Sequence, residues 1–497
     1  MRHHFRRGRV GGVAGEKLPA AHDDQRGPFA FGPLLEKTAR ASVSWLEGLP
    51  SRRAGASASP AELAQALGGP LPEEGADPGE VLAAFAEKIE PGLVASPGPR
   101  YFGFVTGGSL PAALAADWLA SAWDQNGILA ISSPAVSAAE EVAEGWMLEL
   151  LDLPRGSSVG FVTGGQMANF TCLAAARHEA LGRHGWDAEK DGIQGAPPIT
   201  VIAGEEAHAT ITSALRLLGL GSGGVVQVPA DGQGRMKAGD AVRALNEASG
   251  PVILCLQAGN VNTGAFDPFA EIIPAARKKG AWVHVDGAFG IWGRLLPSLA
   301  PHTAGMEEAD SWAADAHKWL NVPYDSGLAI VKHKEAHRAS MALSASYLAG
   351  GGPARDPSSW APEASRRARV FPVYCALKSL GKRGTAEIVE RNCRQARLMA
   401  SLLAEDPHIE ILNEVVLNQV LAGFSAPGTD SCEFTRQVTA AVQNEGTCWA
   451  GGSVWKGRAA MRISVSNWAT SDHDIRISAE AVRRTARVIS QHLKRDH

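Results

Sequence analysis

The stretch Ala281-Trp282-Val283-His284-Val285-Asp286-Gly287-Ala288-Phe289 decides the fold. Its first five residues are a mostly apolar run of strand length. A carboxylate and two small residues end the run. Short runs of this kind belong to strands buried on both faces, as in parallel sheets. Open α/β sheets bind ligands at the carboxyl ends of their strands, which is where Asp286 stands. Taken alone, Asp286 reads rather as a helix cap or a surface aspartate.

Working outward, strand and helix patterns alternate. Val159–Val162 reads as a strand leading into Gly164-Gly165, and Ala168–Ala180 as the helix that follows. Thr200–Ala203, Val225–Val228, Pro251–Leu256 and Gly327–Val331 read as further strands. Helical spacing recurs at 207–217, 236–248 and Pro268–Lys279. This alternation predicts a mainly parallel sheet covered on both faces. Upstream, residues 31–50, Pro60–Leu67 and Pro78–Ile89 read as helices with too little core to stand alone. They are expected to pack on another surface, in this chain or in a partner. Ser109–Asp124 and Ser133–Leu151 are also helical, with Pro134 suited to a first turn. Downstream, glycine, serine and proline crowd 344–362, which reads as a loop. A helix over 371–400 then leads to strands near 409–413, 416–421 and Met461–Ser466, and to a last helix over 473–493. The expected division is a disordered tail over 1–30, an N-terminal helical segment over 31–105, a large domain over 106–375 and a small one over 376–497.

Composition excludes several classes of function. A net charge of -4 over 497 residues gives no electrostatic case for nucleic acid or an anionic membrane. Met1–Arg9 is basic but lacks the apolar core of a secretory signal. Asp and Glu follow too soon for a transit peptide, so disorder is expected. The apolar stretch near Leu110–Ala122 carries Asp117 and is too short to span a bilayer. The six cysteines show no metal-ligand spacing, so no metal site is expected, and they read as reduced thiols of a cytoplasmic protein.

The chemistry gathers around a second stretch, Ala314-Asp315-Ala316-His317-Lys318-Trp319-Leu320. Pyridoxal phosphate needs a lysine amine to hold its aldehyde and a carboxylate to keep its pyridine nitrogen protonated. Lys318 and Asp286 supply that pair, although a lone lysine is more often a solvated surface residue. Thr163–Asn169 joins a strand to a helix. Its two glycines let the backbone approach an anion, and the N–H groups of the helix start point at it. No Gly-Lys-Ser/Thr follows, so this is no nucleotide P-loop, and by itself it can be an ordinary turn. His208 follows a strand near a helix start and can stack on a planar cofactor; such a histidine alone is more often ordinary surface or core. His317 can reach the same ligand as Lys318 from another side, and Trp319 reads as packing.

These segments, with Pro99–Phe104, Gly264–Asp267, Ser365–Arg369 and Arg462–Ser464, resemble the group II pyridoxal-phosphate-dependent amino-acid decarboxylases. That family includes the aromatic-L-amino-acid, histidine, glutamate and cysteine-sulfinate decarboxylases. The resemblance covers about residues 35–490. It implies fold type I, the aspartate-aminotransferase-like α/β fold: a central, mostly parallel seven-stranded sheet, a smaller C-terminal α/β domain, and a homodimer whose N-terminal segment packs on the partner subunit. It implies that Lys318 holds pyridoxal 5'-phosphate, Asp286 pairs with the pyridine nitrogen, and His208 and Ala288 flank the ring. Gly165, Gln166 and Met167 would lie against the phosphate, with His317 beside the covalent link. Tyr347 matches the tyrosine that protonates the α-carbon after carbon dioxide leaves. The implied reaction takes an L-amino acid to its amine. Relatives with phenylalanine at the Tyr347 position tend to be aldehyde synthases, so tyrosine favours simple decarboxylation. An aminotransferase or carbon–carbon lyase on the same fold stays open. Tyr101, Phe102 and Phe104 suggest an apolar or aromatic substrate, whereas Arg100 leaves an acidic one open. The chain departs from the family pattern at Met167, Val261, Asp315 and Pro99-Arg100.

Overall fold

The structure is a computed structural model that describes residues 31–343 and 354–493. Contacts divide the chain into two units. The first holds three helices. Phe31–Gly48 opens it, and Pro60–Leu67 follows with a capping box between Ser59 and Glu62. Pro78–Ile89 starts on Asp77, whose carboxylate accepts from two backbone N–H groups. None of the three helices has a buried residue, so Phe31, Leu35, Val81 and Phe85 stand exposed.

The second unit comprises Leu49–Ala56 and the chain from Val94 onward. Its main sheet has seven strands: β1 (Ser158–Val162), β2 (Thr200–Gly204), β3 (Val226–Val228), β4 (Val252–Gln257), β5 (Trp282–Asp286), β6 (Ser311–Asp315) and β7 (Gly327–Val331). Their order is β1-β7-β6-β5-β4-β2-β3. β7 is antiparallel to both neighbours, and every other pair is parallel. All strands but β7 therefore point their carboxyl ends at one edge, as in α/β folds that bind ligands there. β4, β5 and β6 are buried along their whole length. Side chains alternate between faces: Trp282 packs with Cys172 and Ile211 on one side, and Val283 with Trp312 and Met147 on the other. Fully burying a leucine such as Leu254 contributes about 1.5–3 kcal/mol, and two covered faces double the opportunity.

A buried ion network ties the first strand in place. Arg366 and Arg355 both pair with Glu140 of the helix Pro134–Leu150. Arg366 also donates to the carbonyls of Phe161 at 2.7 Å and Gly127 at 3.0 Å.

The chain then enters the long helix Val370–Ala404, which kinks where Gly381 adopts φ +61°. A second sheet follows, built from β8 (Ile409–Ile411), β9 (Gln419–Phe424), β10 (Gly451–Trp455) and β11 (Arg458–Ser464) in the order β10-β11-β9-β8. The helices Ser431–Glu445 and Asp472–Leu493 share its core, which contains Phe424, Phe434, Met461 and Ile475. All six cysteines are free thiols. Among the described residues, no helix is long and apolar enough to cross a membrane.

Candidate active site

The carboxyl ends of β1, β2, β5 and β6 bring the sequence-predicted groups together. Asp286 ends β5 and is only 5% exposed. Its Oδ1 accepts from the Ala288 N–H at 3.2 Å, and its Oδ2 accepts from Asn169 Nδ2 at 3.1 Å. Ala288 is half-buried, and its carbonyl accepts from the Asp315 N–H at 2.8 Å, which locks the ends of β5 and β6 together.

Asp315 ends β6 and is buried. Lys318 follows in the turn, its Nζ 2.8 Å from Asp315 Oδ2. The other carboxylate oxygen accepts from the Gly165 N–H at 2.5 Å and lies 3.3 Å from His317 Nε2. Gly165 is the first residue of the helix Gly165–Gly182, so a carboxylate already sits on the N–H groups of that helix start. A Cβ on Gly165 would lie 2.7 Å from Asp315 Oδ2, so a larger residue there would force that carboxylate to shift. His317 Nδ1 accepts from the Ser326 N–H at 3.2 Å, and its ring packs against Tyr324 with centroids 4.3 Å apart. Burial holds the His317 imidazole below its usual pKa, partly offset by Asp315.

His208 caps the helix Ala209–Leu217, accepting the Thr210 N–H on Nδ1. Its pKa is lowered, chiefly by burial; the charges acting on it are Asp286, Lys318, Arg462 and Asp315. In sequence Arg462 stands out only as part of a matching segment. Here it is a largely buried guanidinium that donates to the Val261 carbonyl at 3.3 Å, while its Nε has no partner. Among the described residues, no carboxylate lies within ion-pair reach of it.

Gln166 and Met167 follow Gly165 in the same helix. The Gln166 side chain is exposed and donates to Ser213 Oγ at 3.2 Å, and Met167 is half-buried against the apolar core. Arg100 is not free to meet an acidic substrate. It donates to the carbonyls of Thr447, Pro50 and Arg52 and pairs with Asp474 at 3.7 Å. Tyr101 and Phe104 stack on Trp449 with centroids 5.1 and 5.9 Å away. Burial, with Tyr324 nearby, pushes the Tyr101 phenol up to about 12. The same segment passes so close to the lysine turn that a Cβ on Gly107 would strike the Lys318 carbonyl. Trp319 is core, its indole donating to Asn392. Tyr347 lies outside the described residues.

Comparison with known proteins agrees with this geometry. Residues 60–424 match the pyridoxal-dependent decarboxylase conserved domain. The chain is 28% identical over 406 residues to 4-hydroxyphenylacetaldehyde synthase of Rhodiola rosea, covering 78% of this chain and 81% of that one. It is 27% identical over 390 residues to L-2,4-diaminobutyrate decarboxylase of Rhizobium meliloti, covering 76% of each. The crystal structure of Oryza sativa TDC with PLP and tryptamine superposes with a TM-score of 0.86 at 23% identity, over 95% of this chain and 99% of that one. Fold and match together define a pyridoxal phosphate enzyme of the α/β class. The chain belongs to the pyridoxal-dependent decarboxylases, which are amino-acid carboxy-lyases.

The residues present fit that cofactor. A lysine amine, a buried strand-end carboxylate, an anion-accepting helix start and a half-buried imidazole meet at one edge of the sheet.

Proposed function

We propose that the protein decarboxylates an L-amino acid, preferentially one with an apolar or aromatic side chain, to its amine and carbon dioxide. The observation that carries this reading is the meeting of Lys318, Asp315 and the Gly165 helix start at one edge of the sheet, with Asp286 and His208 joined there through Asn169 and Thr210. When bound, pyridoxal phosphate supplies the electron sink for breaking the bond between Cα and the carboxylate. Lys318 would hold its aldehyde, Asp286 would keep a proton on its pyridine nitrogen, and His208 would cover one ring face. The start of the helix Gly165–Gly182 would take its phosphate, with Asp315 giving up the Gly165 N–H. The unpartnered Nε of Arg462 suits an anionic group brought in with substrate or cofactor. The Tyr101–Trp449–Phe104 stack offers aromatic surface to the substrate, and the commitment of Arg100 elsewhere disfavours an acidic one. Tyr347 would deliver the proton to Cα of the product.

The working form would be a two-fold dimer. Apolar residues left exposed on the helix Pro111–Trp123, Trp118 and Trp123 among them, support a covered face.

The test is to load the protein with pyridoxal phosphate and offer a panel of L-amino acids. Carbon dioxide, amine, aldehyde and keto acid are measured from each reaction. Equal amounts of amine and carbon dioxide are expected. A keto acid without carbon dioxide would overturn the reading in favour of an aminotransferase, and aldehyde without amine would assign a synthase. Borohydride reduction should fix the cofactor on Lys318, and a label on any other lysine would remove that residue from its role.

A further inference from the structure

Asn169 is fully buried on the helix Gly165–Gly182, and one amide serves three partners. Its Nδ2 lies 3.1 Å from Asp286 Oδ2 and 3.0 Å from Thr210 Oγ1, and its Oδ1 lies 2.9 Å from His284 Nε2. An ionised carboxylate only accepts hydrogen bonds, so the amide nitrogen must face Asp286. Oδ1 must then accept a hydrogen bond from His284 Nε2–H. His284 is completely buried, and desolvation lowers its pKa to about 4, so near neutral pH the ring carries a single proton. Its Nδ1 is therefore bare and accepts from the Ser311 hydroxyl at 3.0 Å. That same oxygen accepts the Trp282 indole N–H at 2.9 Å.

The polarity is equally constrained on the other side. Thr210 Oγ1 accepts from Asn169, so its own hydrogen is left for His208 Nδ1 at 2.8 Å. The Thr210 backbone N–H donates to the same nitrogen at 3.3 Å. His208 Nδ1 is thus bare, and its ring proton sits on Nε2. Both Asn169 N–H groups are used, one on each branch. Asp286 and His208 hang from a single amide that cannot rotate without breaking every link.

We propose that Asn169 and Thr210 are positioning residues that join Asp286 and His208 into one hydrogen-bonded unit, fixing the carboxylate's orientation and His208's tautomer toward the ring of pyridoxal phosphate. The chain runs one way, from Trp282 through Ser311, His284 and Asn169 to Thr210 and His208. The inference rests on the reading above, in which Asp286 and His208 face that ring.

Thr210 is the better residue to test, because it is only half-buried and its variants should fold. Thr210→Val keeps the shape and loses the hydroxyl; Thr210→Ser keeps the hydroxyl and loses a methyl. Pyridoxal phosphate is titrated into cofactor-free protein while tryptophan fluorescence is followed. The His208 tautomer is read by 15N chemical shifts in histidine-labelled, cofactor-free protein, assigned with His208→Gln. Thr210→Val should bind the cofactor about tenfold more weakly, as expected for one lost hydrogen bond near a charged network. It should also show His208 as mixed tautomers. Thr210→Ser should stay within about twofold of the parent and keep the Nε2–H form. A packing role predicts the reverse, with Val silent and Ser impaired, and that result would overturn the proposal. A parent protein that never binds pyridoxal phosphate would refute the cofactor reading, while the tautomer of the cofactor-free protein would still decide the chain.

Discussion

His284 makes the acid stability of this protein predictable. The ring is completely buried between Asn169 and Ser311, and burial sets its pKa at about 4. In the unfolded chain the value is about 6.5. The unfolded state therefore binds more protons across that window, so stability falls as pH drops below about 6.5 and levels off below about 4. The full span corresponds to about 3.4 kcal/mol, of which about 2 kcal/mol is lost by pH 5. His284→Gln isolates this contribution, because a glutamine amide can still donate to Asn169 Oδ1 and does not titrate. Two other buried groups also move in this range: His337, lowered to about 3 by burial, and Asp267, raised to about 6 by burial. They act in opposite directions, but both are present in each protein and cancel in the comparison. The assay is urea unfolding of cofactor-free protein at pH 8 and pH 5, followed by tryptophan fluorescence and circular dichroism. The variant starts less stable at pH 8 because its packing is poorer. Its loss between pH 8 and pH 5 should nevertheless be smaller than the parent's by about 2 kcal/mol. Equal losses in the two proteins would mean that His284 does not titrate as a buried neutral ring, and would break the reasoning for its polarity.

Asp286→Asn keeps the shape at the end of β5 and removes the charge. Turnover should fall by about a hundredfold or more at saturating cofactor, roughly 3 kcal/mol in the barrier, and near-parental turnover would strip Asp286 of its role. Arg366→Met leaves Glu140, only 2% exposed, with Arg355 as its one cation. The expected cost is about 3 kcal/mol, seen as a lower urea midpoint, and an unshifted midpoint would count against the buried network. Tyr347→Phe should still bind cofactor but yield less amine, with aldehyde and ammonia appearing in an oxygen-dependent way. An unchanged amine yield would take the tyrosine out of the reaction.

Much of the fold was legible because the signals were local. Pro60–Leu67 and Pro78–Ile89 run between the residues their caps and prolines mark. The apolar runs at β4, β5 and β7 became strands because strands buried on both faces need little else, whether parallel as in β4 and β5 or antiparallel as in β7. β6 has a weak sequence signal because Ser311-Trp312-Ala313-Ala314-Asp315 is rich in alanine, whose strand preference is low. β10 begins Gly451-Gly452-Ser453, which reads as loop, and it becomes a strand by pairing with β11. In the site, Lys318 and Asp286 could be chosen because their chemistry is rare at strand ends. Asn169 and Thr210 could not, since neither titrates and their partners lie 117 and 41 residues away in the chain. Asp315 read as a departure from a pattern. Its role as acceptor for Gly165, His317 and Lys318 exists only once β6 and the helix start are side by side. In sequence Arg100 leaves an acidic substrate open; in the fold three backbone carbonyls and Asp474 hold it.

The three N-terminal helices bury no residue of their own. Were their apolar faces covered by a second copy in the proposed dimer, cover would be supplied by mass action rather than by connectivity. Dilution would then behave as a mild denaturant. The thermal midpoint would climb with the logarithm of protein concentration, and residues 31–48 and 57–93 would become the first place a protease cuts when the protein is scarce. A cell making few copies would hold a shorter-lived enzyme than one making many, with no change in the sequence.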